Sequence, residues 1–137
     1  MKKLQNYING KFEPPVSGAY IDNIDPSKGT VYSLIPDSGP QDIGHAVEAA
    51  KAAFPIWSGM SLNERSEILV RFSKGIEERM DEFVAAESMD NGKPVSLARQ
   101  VDIPRAVSNL SFFATAILHF ASESHYMEGV GLSLIHI

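Results

Sequence analysis

Two residues in this chain have the type and setting to bind a charged ligand. The first is the arginine of Val101-Asp102-Ile103-Pro104-Arg105-Ala106. A guanidinium fork on a helix face can grip a carboxylate through two parallel hydrogen bonds. The second is Asp90, which stands just before Asn91-Gly92. There the open carbonyls of a finishing helical turn and a carboxylate together offer hard oxygen ligands for a cation. Each has a plainer reading beside it. Asp102 lies three residues before Arg105 and is placed to pair with it, and an aspartate before Asn-Gly is ordinary turn chemistry. His119, Glu123 and His125 do not have the His-Glu-x-x-His spacing of a zinc site and read as solvated groups. Glu77-Glu78 and Asp81-Glu82 read as charged helix surface rather than as an acid–base pair. Gly129-Val130-Gly131 lacks the third glycine and the following helix of a dinucleotide loop, and no phosphate loop or nucleophile elbow occurs. The chain has no cysteine, so it supplies no thiolate nucleophile, no cysteine-ligated zinc and no disulfide.

Composition narrows the class further. The chain has 137 residues, 44% hydrophobic and 21% charged, as expected of one globular domain. A chain of this size can bury roughly two-thirds of its unfolded surface. The formal net charge of −5 comes with no basic stripe, which argues against nucleic acid as a partner. No apolar run approaches the roughly 18 residues of a membrane span. Lys2 and Lys3 are not followed by an apolar signal core, so the expected compartment is the cytoplasm. There is no internal repeat or low-complexity tract.

The elements that must carry these residues are of two kinds. Residues 1–36 read as short strands and turns. Asn9-Gly10 between Tyr7-Ile8 and Lys11-Phe12 is a hairpin signal. A second pair, Tyr20–Ile24 and Thr30–Ile35, flanks the turn-forming Asp25-Pro26-Ser27-Lys28-Gly29. From Pro40 the period becomes helical, with Ile43, Val47, Ala50, Phe54 and Trp57 on one face and an expected stop near Pro55. Ser61 and Glu64 form a capping box for a helix whose stripe is Ile68, Leu69, Phe72, Ile76, Met80 and Phe83. Glu67 and Arg71 form an i,i+4 pair on its outside. Asn91 or Gly92 closes the run in a left-handed cap before Pro94. A last helical region covers about 96–121, kinked near Pro104, with Asp102 a candidate cap. Its core stripe is Ile103, Val107, Leu110, Ala114, Ile117 and Ala121. Arg105, Asn109, Phe112, Ala116 and His119 share the opposite arc at 100° per residue. An arginine and a phenylalanine together on that side suit a face that is itself covered, although single exposed aromatics are common.

The order of these segments resembles the start of an aldehyde dehydrogenase. The likeness is carried by Tyr7-Ile8-Asn9-Gly10-Lys11-Phe12, Asn23-Ile24-Asp25-Pro26-Ser27-Lys28-Gly29 and Val47–Phe54 with Trp57. Asn63-Glu64-Arg65 and Glu87-Ser88-Met89-Asp90-Asn91-Gly92-Lys93-Pro94 extend it over residues 4–128. Within that family, Val101–Ala106 followed by Asn109 and Phe112-Phe113-Ala114 is similar to the 2-aminomuconate and 2-hydroxymuconate semialdehyde dehydrogenases.

The resemblance implies an α/β fold. Two short β-hairpins would be followed by helices of a Rossmann-like cofactor-binding domain, with residues 1–128 its incomplete N-terminal portion. Residues 129–137 depart from the family pattern and are expected to be an out-of-family tail of a truncated or misassembled frame. The family's reaction oxidises an aldehyde to an acid with NAD or NADP, through a cysteine thiolate, in an enzyme expected to be a homo-oligomer. The resemblance implies that Arg105 grips the carboxylate of a semialdehyde substrate. It also implies a monovalent-cation site for K+ or Na+, formed by the carbonyls near Asn23 and Ile24 with Asp90. No catalytic or cofactor-binding residue is expected within these 137 residues, and the chain alone is expected to be inactive. A second reading is a short isoform that docks on a complete dehydrogenase through uncovered helix faces.

Overall fold

The computed structural model describes residues 1–119, 123–128 and 131–135, the last two stretches as backbone outside Glu128. Strands come first. β1 (Lys2–Lys3), β4 (Tyr20–Asp25) and β5 (Thr30–Pro36) form a sheet in the order β1-β5-β4, with β1 parallel and β4 antiparallel to β5. β2 (Asn6–Ile8) and β3 (Lys11–Glu13) form a separate hairpin. Its turn carries Asn9 at φ 50° and Gly10 at φ 77°, the two positive angles that a tight hairpin turn with the twist of its strands requires. β1 is an addition to what the sequence announced. Two lysines carry no strand pattern, and it is the ladder to Ser33 and Leu34 that makes them one.

The turn between β4 and β5 is held by Asp25. Its carboxylate is buried and accepts from the Ser27 amide at 2.9 Å, the Ser27 hydroxyl at 2.6 Å and Lys28 Nζ at 3.0 Å. The Ser27 hydroxyl and then the Lys28 ammonium pull its pKa from 3.8 down to about 2. A second buried carboxylate, Asp42, ties the start of the first helix to the strands. It accepts from the Val16 and Gly39 amides, both at 2.9 Å, and these bonds lower its pKa.

The helices are α1 (Pro40–Gly59), α2 (Leu62–Glu78), α3 (Met80–Asn91), the short α4 (Val95–Leu97) and α5 (Ile103–Ala116). Ser61 and Glu64 form the capping box, Ser61 Oγ accepting from the Glu64 amide at 3.2 Å and Glu64 accepting from the Ser61 amide at 2.8 Å. Gly92 takes the left-handed cap of α3 at φ 75°. Three expectations need correction. Pro55 does not stop α1, which runs on to Gly59. So near the end of a helix, the proline forfeits one backbone bond at an exposed site and the winding survives it. Asp102 caps nothing. It has helical angles (φ −68°, ψ −52°) inside a π-helical turn, Ala98–Asp102, that joins α4 to α5. The wide turn closes with the Ile103 amide on the Ala98 carbonyl, one residue before the proline that has no amide to give. And α5 ends at Ala116 rather than 121, so His119 lies in the turn beyond the helix, and Ala121 lies outside the described residues.

Burial also departs from the expected stripes. The core is Val84, Ala98 and Ile103, with Ile76 and Met80 packed against it. On α2 the buried positions are Ser66 and Ser73, small residues that let α5 approach, and Ser73 Oγ donates to the Val107 carbonyl at 3.2 Å. Phe72 therefore faces outward, 60% exposed. The α1 stripe is largely uncovered, with Ile43, Val47 and Phe54 exposed. Glu67 and Arg71 are exposed and form no ion pair among the described residues. Backbone strands β6 (Glu123–Met127) and β7 (Gly131–Ile135) pair as an antiparallel hairpin.

Because the Asp25 pKa is depressed in the fold, its contribution is full above the ordinary 3.8 and is lost as pH falls toward about 2. The unfolding temperature should drop across that window. Asn at position 25 should flatten the drop, and an unchanged profile in Asp25→Asn would show that this turn does not report on acid unfolding.

Candidate functional site

Asp90 is placed by a junction between α3 and the β4–β5 pair. Gly92 permits the junction. A Cβ there would come within 3.1 Å of Pro26 Cβ, a tight approach, and the left-handed angle disfavours any side chain, so glycine suits the end of α3 where it reaches the β4–β5 turn. Two residues earlier, Asp90 Oδ1 accepts from Tyr32 Oη at 2.8 Å and from Asn23 Nδ2 at 3.2 Å. Asn23 Nδ2 also donates to Tyr32 Oη at 2.8 Å, closing a triangle of β4, β5 and α3. The Asp90 carboxylate raises the Tyr32 pKa, since it accepts the phenol proton and repels the phenolate.

Sequence reasoning reached Asn23, Ile24 and Asp90 but missed Tyr32. The reason is a register shift in the ladder. Asn23 faces Ser33 and Ile24 faces Val31, which leaves Tyr32 as the extra residue of a bulge. A bulge re-aims the side chains beside it, and no residue pattern in Thr30–Ile35 announces one. Tyr32 and Asp90 also lie on an open, mostly apolar cavity of about 780 Å3, lined further by Leu4, Phe83, Met89 and Ile103.

Arg105 belongs to a different place. It stands exposed in the first turn of α5, on the side opposite the buried Ile103 and Ala114, and is not among the residues lining the Asp90 cavity. Asp102, its nearest acid in sequence, is turned away. Lys93 Nζ holds the Asp102 carboxylate at 3.0 Å and reaches Glu87 at 3.4 Å. The Asp102 bond is the main cause that raises the Lys93 pKa. Arg105 has no ion pair among the described residues. Asn109 and Phe112 follow it on the same exposed side, and the Phe112 ring meets Phe113 edge-on at 5.2 Å. Of the other acids noted in the sequence, Asp81 pairs with Arg99 at 2.7 Å and Glu82 with Arg79 at 2.6 Å, while Glu77 and Glu78 form no ion pair among the described residues. Among the described residues no three His, Cys, Asp or Glu side chains cluster as metal ligands, and the side chains of Glu123 and His125 lie outside that set. Gly129 and Val130 are outside it too. No described helix is long and apolar enough to cross a membrane.

The sequence profile of the aldehyde dehydrogenase family matches residues 12–135. The chain belongs to the aldehyde dehydrogenase family. It is 50% identical over 128 residues to a 2-aminomuconic semialdehyde dehydrogenase of Bos taurus, covering 93% of this chain and 26% of that protein. A 2-hydroxymuconic semialdehyde dehydrogenase of Pseudomonas sp. (strain CF600) is 41% identical, with the same coverage. Among solved structures, an NAD+ complex of the aldehyde dehydrogenase from Bacillus cereus superposes with a TM-score of 0.91 at 27% identity, covering 96% of this chain and 27% of that one. The chain thus spans about a quarter of the length of the relatives it matches. The α/β arrangement of two early strand pairs followed by helices is therefore that of the opening portion of this family's fold.

The triangle predicts a measurable loss. Tyr32→Phe removes the shorter of the two bonds to Asp90 and should lower stability by about 1 kcal/mol in a urea melt. The same melt of Asn23→Ala, which removes two of the triangle's three bonds, should give a comparable loss. An unchanged midpoint in Tyr32→Phe would mean that the triangle does not hold α3 to the sheet.

Proposed function

We propose that this chain is the N-terminal portion of an NAD- or NADP-dependent dehydrogenase that oxidises a semialdehyde acid of the muconic type, with Arg105 as the anchor for the substrate's carboxylate. One observation carries the reading. Arg105 is exposed on the outer face of α5 while the acid best placed to neutralise it is held by Lys93. A guanidinium left in that state is a ready partner for a carboxylate, and a bidentate grip discriminates an acid-bearing aldehyde from a neutral one. The names of the two muconic semialdehyde dehydrogenases support the substrate class. The bound NAD+ of the Bacillus cereus relative supports the cofactor, which when bound supplies the hydride acceptor. With no cysteine, residues 1–137 supply no thiolate. The 137-residue chain by itself should give no aldehyde-dependent reduction of NAD+, and turnover by the purified chain would overturn this division of labour.

The Asp90 region fits a structural sodium or potassium ion. Asp90 Oδ1 is taken by Asn23 and Tyr32, Oδ2 accepts no hydrogen bond among the described residues, and the ladder is interrupted at Asn23 and Ile24. A carboxylate oxygen beside interrupted strand carbonyls is a hard donor set. Asp90→Ala should then abolish a rise in melting temperature on exchanging choline for potassium. A rise of equal size in both proteins would remove Asp90 from the site.

For the anchor, Arg105→Ala in the complete dehydrogenase should lower kcat/KM for a semialdehyde acid by about 10- to 100-fold, the range of a lost charge-assisted bond. For hexanal it should change kcat/KM little. Equal losses on both substrates would sink the anchor role.

A further inference from the structure

We infer that Asn109 is a specificity-determining residue that hydrogen-bonds a heteroatom on the carbon next to the substrate's carboxylate. The inference rests on the anchor role given to Arg105. Its own support is the layout of α5.

Ile103 and Ala114 are buried and Val107, Leu110 and Ile117 are half-buried, which fixes the inward face of the helix. At 100° per residue, Asn109 and Phe112 fall within about 40° of Arg105 on the outward face. All three are exposed. At about 1.5 Å rise per residue, Asn109 stands about 6 Å along the axis from Arg105 and Phe112 about 10 Å. The strip thus runs cation, neutral amide, aromatic ring.

That order matches one kind of ligand. The cation takes a carboxylate. The amide, one turn on, can both donate and accept, so it accommodates either a hydroxyl or an amine at the adjacent carbon. The ring, a further turn along, offers an apolar face to a flat unsaturated chain. Asn109 is available for this work, since its side chain forms no hydrogen bond among the described residues. The charge of the position matters too. A carboxylate at 109 would repel the acid that Arg105 attracts, and a lysine would compete for it, whereas a neutral amide leaves the anchor its partner. Ser108 and Ser111, the other polar residues of this helix segment, are turned toward α2, where they line a groove with Ser73 and Lys74. Asn109 is therefore the polar side chain of α5 best placed to act beside Arg105.

The test uses the complete dehydrogenase carrying this segment and three probes: 2-hydroxymuconic semialdehyde, muconic semialdehyde without the hydroxyl, and hexanal. Asn109→Ala should lower kcat/KM about 10-fold or more for the hydroxylated acid, and less than about 3-fold for the acid lacking the hydroxyl, because only the first leaves a hydrogen-bonding group unpaired. Asn109→Asp should depress both acids relative to hexanal. Equal losses in Asn109→Ala on the two acids would overturn the inference while leaving Arg105 as the anchor. No selective loss on the acids in Arg105→Ala would overturn the anchor and, with it, the inference. Neither variant touches the buried face of α5, and circular dichroism of each should match the parent protein. A folded Asn109→Asp protein with unaltered selectivity among the three probes would overturn the inference independently of the alanine variant.

Discussion

The arrangement depends on one crossing, where Ala98 lies fully buried against Val84 and Ile103. The small alanine side chain lets α3 and the π-helical turn approach closely. The crossing sets two things at once. It fixes the rotation of α5, with Ile103 turned in and Arg105, two residues on, turned out. It also fixes α3, whose far end carries Asp90 to the strands. A larger residue at Ala98 would push both helices apart in a core of few buried apolar side chains. The π-helical turn belongs to the same constraint. The Ile103 amide reaches back to Ala98 just before Pro104, so the chain enters α5 without a cap and without a break.

What surrounds this crossing is open. Among the described residues only Val84, Ala98, Ile103 and Ala114 are buried hydrophobics, while Ile43, Phe54, Ile56, Phe72, Phe112 and Phe113 are each at least 60% exposed. A chain of this length can ordinarily enclose much more. The match to about a quarter of each relative gives this surface a physical meaning. Helix faces with apolar periodicity are built for neighbours, and here the described chain contains few elements to cover them. The polar contacts carry more than their usual share as a result. Asp25 and Asp42 satisfy backbone amides across turns, and Asp90 joins two strands to a helix.

Much of this was legible in the residues, and the reasons divide by range. The Asn9-Gly10 hairpin, the Ser61–Glu64 box and the Gly92 cap were readable because each is decided within four residues by backbone angles and local hydrogen bonds. β1 was not, since its two lysines become a strand only through a partner thirty residues away. Nor was the rotation of α2. Apolar periodicity favoured the face with Phe72, but the close approach of α5 selects the face with Ser66 and Ser73, where small side chains save distance. For the candidate sites, residue type and setting singled out Asp90 and Arg105, and the family resemblance added Asn23 and Ile24. Tyr32 depended on a bulge and Lys93 on a bend of the chain between α3 and α4, neither of which has a signature in composition.

The fate of Asp102 shows how the surroundings of a charge can matter more than the charge itself. Along a helix it sits three residues from Arg105, and a simple pairing would neutralise both. Instead Lys93, which follows the Gly92 cap, reaches across to it and to Glu87. One cation thus serves two acids. Arg105 is not alone in lacking an ion pair among the described residues, since Arg71 on α2 lacks one too. The two differ in what lies beside them. Arg71 shares its outer face with Glu67, Lys74 and Glu78, charges that screen it in water as on any helix surface. Arg105 is followed along its face by Asn109, Phe112 and Ala116, none of them charged. A guanidinium among mobile acids gains little from one more carboxylate. One bordered by an amide and an aromatic ring has no competing acid next to it, so a ligand's carboxylate meets it at full strength once that face is shielded from water.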